Sequence, residues 1–319
     1  MLSSYVKRLM LGVASAAIIL MASSFTAHAG DTQLPSHEET NINLAVASNF
    51  YGVPPSNSAI TDLINAFEMA NPTYTVTVVD NGATATLASH IISGNELKVD
   101  LFLAADTETP LDLLTNHFDL AAPYNASFTP PLYTFNYAMG ILALLSNTPG
   151  VDLSCETGTC GYDSRVYATV AIADPSLAPY GVAAQTVLTG RYGLTPPLSS
   201  NNLVHEYPNI TAAYNAVIDQ TDPVGFVAMS AICANGSYPT SGTSALAYFA
   251  IESSSTTPSM LINNYNPLTQ AGIAIRNNRT PFQNIELEDF VAFLMDSTTS
   301  PEPDSPMIAT LKKYCYNAP

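Results

Sequence analysis

The run NINLAVASNF, residues 41–50, decides how this chain is read. Asn41 to Ala47 is an apolar stretch of strand length, and it breaks into a loop carrying Ser48, Asn49, Gly52 and Pro54-Pro55. From Ser58 to Ala70 the apolar residues Ile60, Leu63, Ile64 and Phe67 form one helical stripe, which Asn71-Pro72 ends. Tyr74 to Val79 alternates β-formers, Gly82-Ala83-Thr84 reads as a turn, and Thr86 to Ile92 begins a second helix stopped by Gly94. Val99 to Ala104 is a further buried strand, and Asp106 or Thr107 caps a helix running through Leu114. This strand-loop-helix alternation predicts parallel strands in an α/β fold.

Outward from that block the rhythm recurs. Tyr137 to Leu145 is apolar but short, so it reads as one buried strand. Val166 to Ala173 is a strand, Asp174-Pro175 a turn, and Tyr180-Gly181 leads into a helix from Val182 to Leu188. Val224 to Met229, Leu246 to Ile251 and Gly272 to Ile275 read as strands, and Ile285 to Met295 as a helix. The stretch 234–265 is rich in Ser, Thr, Gly and Pro and reads mostly as loops.

The N-terminus sets the compartment. Lys7 and Arg8 precede an apolar Leu9 to Leu20, and Ala27-His28-Ala29 has the small-residue pattern of a cleavage site. Residues 1–29 are expected to be a secretory signal, too short for a membrane span of about 20 residues. The exported product is expected to be periplasmic, monomeric and not membrane-embedded. All 26 acidic residues lie beyond that segment, against 7 basic ones, a net charge of −19. Nucleic acid is excluded as a partner, because backbone phosphates are bound by Lys/Arg clusters and this chain has none. Four cysteines in an exported chain read as disulfides, with Cys155–Cys160 and Cys233–Cys315 the favoured pairing of three; a four-thiolate zinc site is the alternative. His37, His90, His117 and His205 have no metal-ligand spacing, and neither a G-x-S-x-G elbow nor a P-loop occurs. The expectation is a binding protein without cofactor and without catalytic residues.

Three loops follow a strand and open a helix: Ser48-Asn49, Gly82-Ala83-Thr84 and Pro179-Tyr180-Gly181. In open α/β sheets ligands bind beyond the carboxyl ends of the strands, where helix N-termini present free N–H groups and favour negative charge. Hydroxyls and backbone N–H groups suit a fully ionised oxyanion, which only accepts hydrogen bonds. The competing reading is that Ser48, Asn49 and Thr84 simply cap their helices.

Seven segments, taken in order, give the chain a resemblance. They are AVASNF (45–50), GATATLASHI (82–91), DLFLAADTETPLDLL (100–114), YAMGILALLS (137–146), AIADPSLAPYGVAAQTVL (171–188), VHEYPNITAAYNAV (204–217) and DPVGFVAMS (222–230). Together they resemble the molybdate-binding periplasmic protein family, the receptors of molybdate ABC transporters. The resemblance implies a type II periplasmic-binding-protein fold: two α/β lobes, about 41–136 plus 252–319 and about 137–251, with a ligand cleft between them. It implies capture of molybdate or tungstate by hinge closure and docking on an ABC transporter permease. By position it places ligand contacts at Ser48 (hydroxyl), Ser48 or Asn49 (backbone N–H), Thr84 (hydroxyl, where the family usually has serine), and Tyr180 and Ile210 (backbone N–H).

Some members have a ligand-contacting tyrosine where this chain has Ala228, and Tyr180 is the residue expected to supply that hydroxyl. The Pro54-Pro55 loop, the Cys155–Cys160 segment and the 234–265 stretch look like insertions. The alternatives are the same fold binding another small anion (sulfate, phosphate or an organic acid), or an enzyme or adhesin reusing the lobes.

Overall fold

The computed structural model describes residues 41–52, 58–125, 129–151, 153, 169–200, 202–233, 235–237, 245–248, 265–296 and 304–319. The expected signal segment, the Pro54-Pro55 loop, the Cys155–Cys160 pair and most of 234–265 lie outside the described residues. In chain order the elements are β1 (Asn41–Ala47), α1 (Ser48–Tyr51), α2 (Ala59–Ala70), β2 (Thr75–Gly82), α3 (Thr84–Ile92), β3 (Leu101–Leu103), α4 (Glu108–Asn116), β4 (Thr134–Gly140) and β5 (Leu142–Leu145). There follow β6 (Val170–Ala173), α5 (Pro179–Tyr192), β7 (Val204–Tyr207), α6 (Ile210–Ile218), β8 (Val224–Ala228), β9 (Ala245–Tyr248), β10 (Leu268–Ala274), α7 (Pro281–Leu294) and α8 (Pro306–Lys313). Among the described residues no helix is long and apolar enough to cross a membrane.

Two five-stranded sheets carry the fold, in the orders β2-β1-β3-β10-β4 and β7-β6-β8-β5-β9. The first is covered on one face by α2, α7 and α8 through Leu63, Phe67, Phe290, Val291 and Leu311, and on the other by α3 and α4 through Leu87, Ile91 and Leu113. The second carries α5 on one face (Ala184, Val187, Leu188) and α6 on the other (Ala213, Val217). Central strands buried on both faces become continuous apolar runs, which is why LFL, VAIA and VGFVA stand out in the sequence.

Two expectations are corrected. The strands are not all parallel: β1 pairs parallel with β2 and β3, and β6 with β7 and β8, but β10 is antiparallel to β3 and β4, and β5 to β8 and β9. A parallel neighbour needs a crossover of a dozen or more residues, usually helical. The strand β4 instead runs almost directly into β5. The run Tyr137 to Leu145 is accordingly not one strand. It breaks at Ile141, with β4 hydrogen-bonded in the first sheet and β5 in the second. Both halves are buried, so hydropathy alone carries no mark of the switch.

The chain end returns to this crossover. Asn317 and Met139 exchange backbone hydrogen bonds of 2.9 and 3.0 Å. Cys233, just after β8, is disulfide-bonded to Cys315, as expected, so these two sulfurs are not zinc ligands. Closing a loop of 82 residues stabilises the fold by roughly 4–5 kcal/mol in the chain-entropy account.

Candidate functional site

The strands β1 and β2 run side by side to the pair Ala47–Gly82, so the chain leaves the first sheet at two adjacent points. Ser48 opens α1 and Thr84 opens α3, both buried. From the second sheet, β6 ends at Ala173, and Asp174 turns the chain by accepting from the N–H and hydroxyl of Ser176. Helix α5 then starts at Pro179, with Tyr180 second. Gly181 lets this helix sit against the strand end: a Cβ there would lie 2.3 Å from the Ala173 carbonyl oxygen. Ile210 opens α6 behind Asn209, whose side chain accepts from the Ala212 N–H.

These four helix starts meet. The Thr211 hydroxyl donates to the Ser48 carbonyl at 3.2 Å, the Ser230 hydroxyl to the Asn49 carbonyl at 3.1 Å, and the Ala85 N–H to the Leu177 carbonyl at 3.0 Å. Tyr180 and Ile210 pack in one apolar cluster with Ala47 and Ala83. All five residues read from the sequence, Ser48, Asn49, Thr84, Tyr180 and Ile210, are thus brought together where the sheets face each other.

The capping reading fails on geometry. The N-caps of α1, α3 and α5 are Ala47, Ala83 and Ala178, none of which can accept a hydrogen bond through its side chain. Elsewhere α2, α7 and α8 are capped by Ser58, Thr280 and Ser305. Ser48 and Thr84 lie one residue inside their helices, and this shifts both expected turns: Thr84 and Tyr180-Gly181 are helical residues. Thr84 Oγ1 accepts the Ala105 N–H at 3.1 Å, which leaves its proton to donate elsewhere. Among the described residues, the Ser48 hydroxyl and the backbone N–H groups of Tyr180 and Ile210 have no partner.

Beneath these donors lies a polar network that sequence reasoning did not single out. Asn49 Nδ2 donates to Gln270 Oε1 at 3.1 Å and to the Tyr316 hydroxyl at 3.2 Å, which uses both amide protons. Asn49 is left its backbone N–H for a ligand. Tyr316 Oη lies 2.8 Å from the Asn49 carbonyl and 3.0 Å from Ser230 Oγ. The Gln270 amide reaches the Tyr180 hydroxyl at 3.5 Å. That hydroxyl sits in the crossover, against Gly140, where a Cβ would lie 2.0 Å from it. Burial is the main cause that raises the phenols of Tyr180 and Tyr316 well above their ordinary range, so both are neutral donors at any working pH. A buried glutamine inside LTQAGIA was a usable signal for Gln270; nothing in the last residues pointed to Tyr316.

Ser48, Asn49, Ile210, Thr211 and Ala228 enclose a void of about 10 Å³. A larger cavity of about 480 Å³ opens alongside, between Asp106, Thr109, Ser176, Pro179 and Tyr265. Among the described residues, neither is lined by Lys or Arg. Desolvation, partly offset by the hydrogen bonds of Thr109, raises the Asp106 pKa. Among the described residues no group of three His, Cys, Asp or Glu could hold a metal; His90 pairs with Asp80 and His205 with Asp222, each at 2.8 Å.

Residues 42–300 match the family model of bacterial extracellular solute-binding proteins. The chain is 30% identical over 200 residues to the molybdate-binding protein ModA of Azotobacter vinelandii, covering 62% of this chain and 69% of that one. Its structure is similar to that of the Azotobacter vinelandii periplasmic molybdate-binding protein, with a TM-score of 0.63 and 23% identity over 87% of this chain and 99% of the other. It is also similar to a periplasmic thiamin binding protein, with a TM-score of 0.53 and 14% identity over 88% of this chain and 83% of that one. These relatives are periplasmic solute-binding proteins of the type II fold and not enzymes, which removes the enzyme alternative. With two mixed sheets meeting at four helix starts, three of them behind alanine N-caps, the chain belongs to the bacterial extracellular solute-binding proteins, within the molybdate-binding periplasmic family.

Proposed function

We propose that the protein captures molybdate or tungstate in the periplasm, after export by its N-terminal signal, and delivers it to an ABC transporter permease. The observation that carries this reading is the trio of alanine N-caps, Ala47, Ala83 and Ala178, on three helices that start at one place. Side-chain caps would consume the N–H groups there; alanine leaves them for a ligand. The donors offered are the Ser48 and Thr84 hydroxyls and the N–H groups of Asn49, Tyr180 and Ile210. All are neutral, and all suit a dianion that accepts hydrogen bonds and donates none. Hydrogen bonds to a charged group contribute about 1.5–3 kcal/mol each. A set of this size offsets dehydration and supports micromolar to nanomolar affinity, about 8–12 kcal/mol.

The donors come from both sheets, so an ion bound to all of them favours the arrangement in which the sheets close on it. The lobes that hinge are taken as the two sheets with their helices, changing over at Ile141 between β4 and β5 and not at the expected 136/137 boundary. Titration calorimetry with molybdate, tungstate, sulfate and phosphate tests the reading. Binding of molybdate and tungstate at least about 100-fold tighter than sulfate, some 2.7 kcal/mol, is expected. Equal affinity for sulfate would overturn it.

A second reading rests on the cavity of about 480 Å³ beside the donors, which is larger than a tetrahedral ion needs. It favours a small organic anion whose acid group takes the donors and whose body fills the space between α4 and α5. Displacement of bound molybdate by a small carboxylate or phosphate ester in the same calorimeter would favour this reading.

A further inference from the structure

We propose that Tyr316, three residues before the last residue Pro319, is a positioning residue for the anion-binding segment Ser48-Asn49. This rests on the proposed oxyanion function; Tyr316 is not among the residues assigned to touch the ion and acts on it through Asn49, whose backbone N–H is. Tyr316 is buried and its ring packs edge-on against Phe50 at 5.4 Å, inside the short helix that Ser48 opens. Its hydroxyl accepts from Asn49 Nδ2 at 3.2 Å and stands 2.8 Å from the Asn49 carbonyl and 3.0 Å from Ser230 Oγ. Asn49 belongs to α1, the short helix leaving the first sheet, and Ser230 follows β8 of the second. One phenol therefore ties the helix that Ser48 opens to the segment that follows β8 of the second sheet.

The position of this phenol is over-determined. Cys315 is bonded to Cys233. Asn317 is paired with Met139 at the crossover, and the Gly236 N–H donates to the Lys313 carbonyl at 2.8 Å. The segment 313–317 is thus held to both sheets on either side of Tyr316. The Asn49 carboxamide has all its hydrogen-bonding capacity on the donor side engaged by Gln270 and Tyr316. Without the phenol oxygen one amide proton is left in a dry pocket, and the side chain must turn to satisfy it, carrying the Ser48-Asn49 backbone with it. A ligand site built from donors that must converge on one ion loses affinity when one of them moves.

The test is Tyr316→Phe, which keeps the ring against Phe50 and removes only the hydroxyl. Two readouts are taken far below the melting temperature: the molybdate Kd by calorimetry, and amide hydrogen exchange of peptides covering 47–52 and 228–233 in the ligand-free protein. We expect about tenfold weaker binding together with faster exchange in both peptides. A purely structural tyrosine would lower the melting temperature and leave Kd unchanged, and an unchanged Kd in a protein that binds molybdate overturns the proposal whatever the stability does. If the wild-type chain binds no oxyanion, the function fails separately, and exchange then decides: protection in 47–52 equal to wild type overturns the positioning role, and loss of protection there supports it.

Discussion

The backbone N–H of Ala105 donates to the Thr84 hydroxyl at 3.1 Å, so the oxygen is oriented by the end of β3 while its proton faces away from that contact. The Ser48 hydroxyl has no such tether among the described residues. The two side chains, equivalent by sequence, should fail differently. Thr84→Val deletes a ligand donor and also strands a buried N–H, costing about 1–3 kcal/mol of stability. Ser48→Ala should leave the melting temperature nearly unchanged. Both should weaken molybdate binding by about 10- to 100-fold, as for one lost hydrogen bond to a charged group. Calorimetry and thermal melts on the two variants check this; equal loss of stability would sink the distinction, and unchanged Kd in both would sink the site.

Gly181 and Gly190 lie on the same helix and predict opposite outcomes. A Cβ at Gly181 would meet backbone atoms at 2.3 and 2.8 Å, which cannot rotate aside. Gly181→Ala must push α5 off the β6 end, costing about 1–3 kcal/mol or more, and should weaken ligand binding because Tyr180 moves with it. Gly190 is exposed and has nothing within 4 Å of an added Cβ. Gly190→Ala should stabilise by about 0.5–1 kcal/mol through helix propensity, with Kd unchanged. Denaturant melts of the pair decide it, and a destabilised Gly190→Ala would contradict the packing of this helix.

How the sequence announced each feature follows from its physics. Strand β1 was readable to the residue, because an apolar run ended by Ser-Asn leaves little choice of boundary. The sequence pattern starts α3 at Thr86, two residues late, and α5 at Val182, three residues late. The rule that a polar residue marks a cap misleads where alanine is the cap and the polar residue serves something else. The break at Ile141 was hidden because both flanking strands are buried alike. Strand β7 and helices α6 and α8 were not read as elements from periodicity. The two helices are 9 and 8 residues long, close to the lower limit of such patterns. The five donor positions came from ordered resemblance, whereas Gln270, Ser230 and Tyr316 support them from distant parts of the chain. Contacts across 221 and 267 residues, as Asn49 makes to Gln270 and Tyr316, leave no local pattern.

Glu286 makes stability depend on pH. It is fully buried, and one carboxylate oxygen accepts the Thr75 N–H at 2.9 Å while Oε2 has no partner among the described residues. Burial first, then the carboxylates of Glu68 and Asp100, raise its pKa to about 8 against the opposing Thr75 hydrogen bond. The folded state therefore keeps a proton that the unfolded chain releases near 4.5. This contribution is fully present below that value, declines as pH rises, and is lost once pH passes about 8. Glu286→Gln should remove the decline. Melting temperatures of both proteins from pH 5 to pH 9 are expected to diverge in favour of the variant up to about pH 8 and to level off above it; a constant difference throughout would rule out a titrating Glu286.

The ion pair Arg279–Asp100 sits at the far end of the same sheet from the donors, and it separates stability from binding. Both side chains are almost wholly buried, with Arg279 Nη1 3.2 Å from Asp100 Oδ1. The carboxylate also accepts from the Asn43 N–H at 2.9 Å and from Asn277 Nδ2 at 3.1 Å. Removing the guanidinium leaves a buried charge with only neutral donors, and breaking such a pair costs about 3–5 kcal/mol. Asn43 is near the start of β1, whereas Ser48 follows its end, so the damage should reach the global melt before the site. Arg279→Leu is expected to unfold at much lower denaturant and, at low temperature, to bind molybdate with wild-type affinity. Pairing it with Asp100→Asn in a double-mutant cycle isolates the coupling. A cycle whose two single costs simply add would mean that the pair contributes nothing beyond its separate hydrogen bonds.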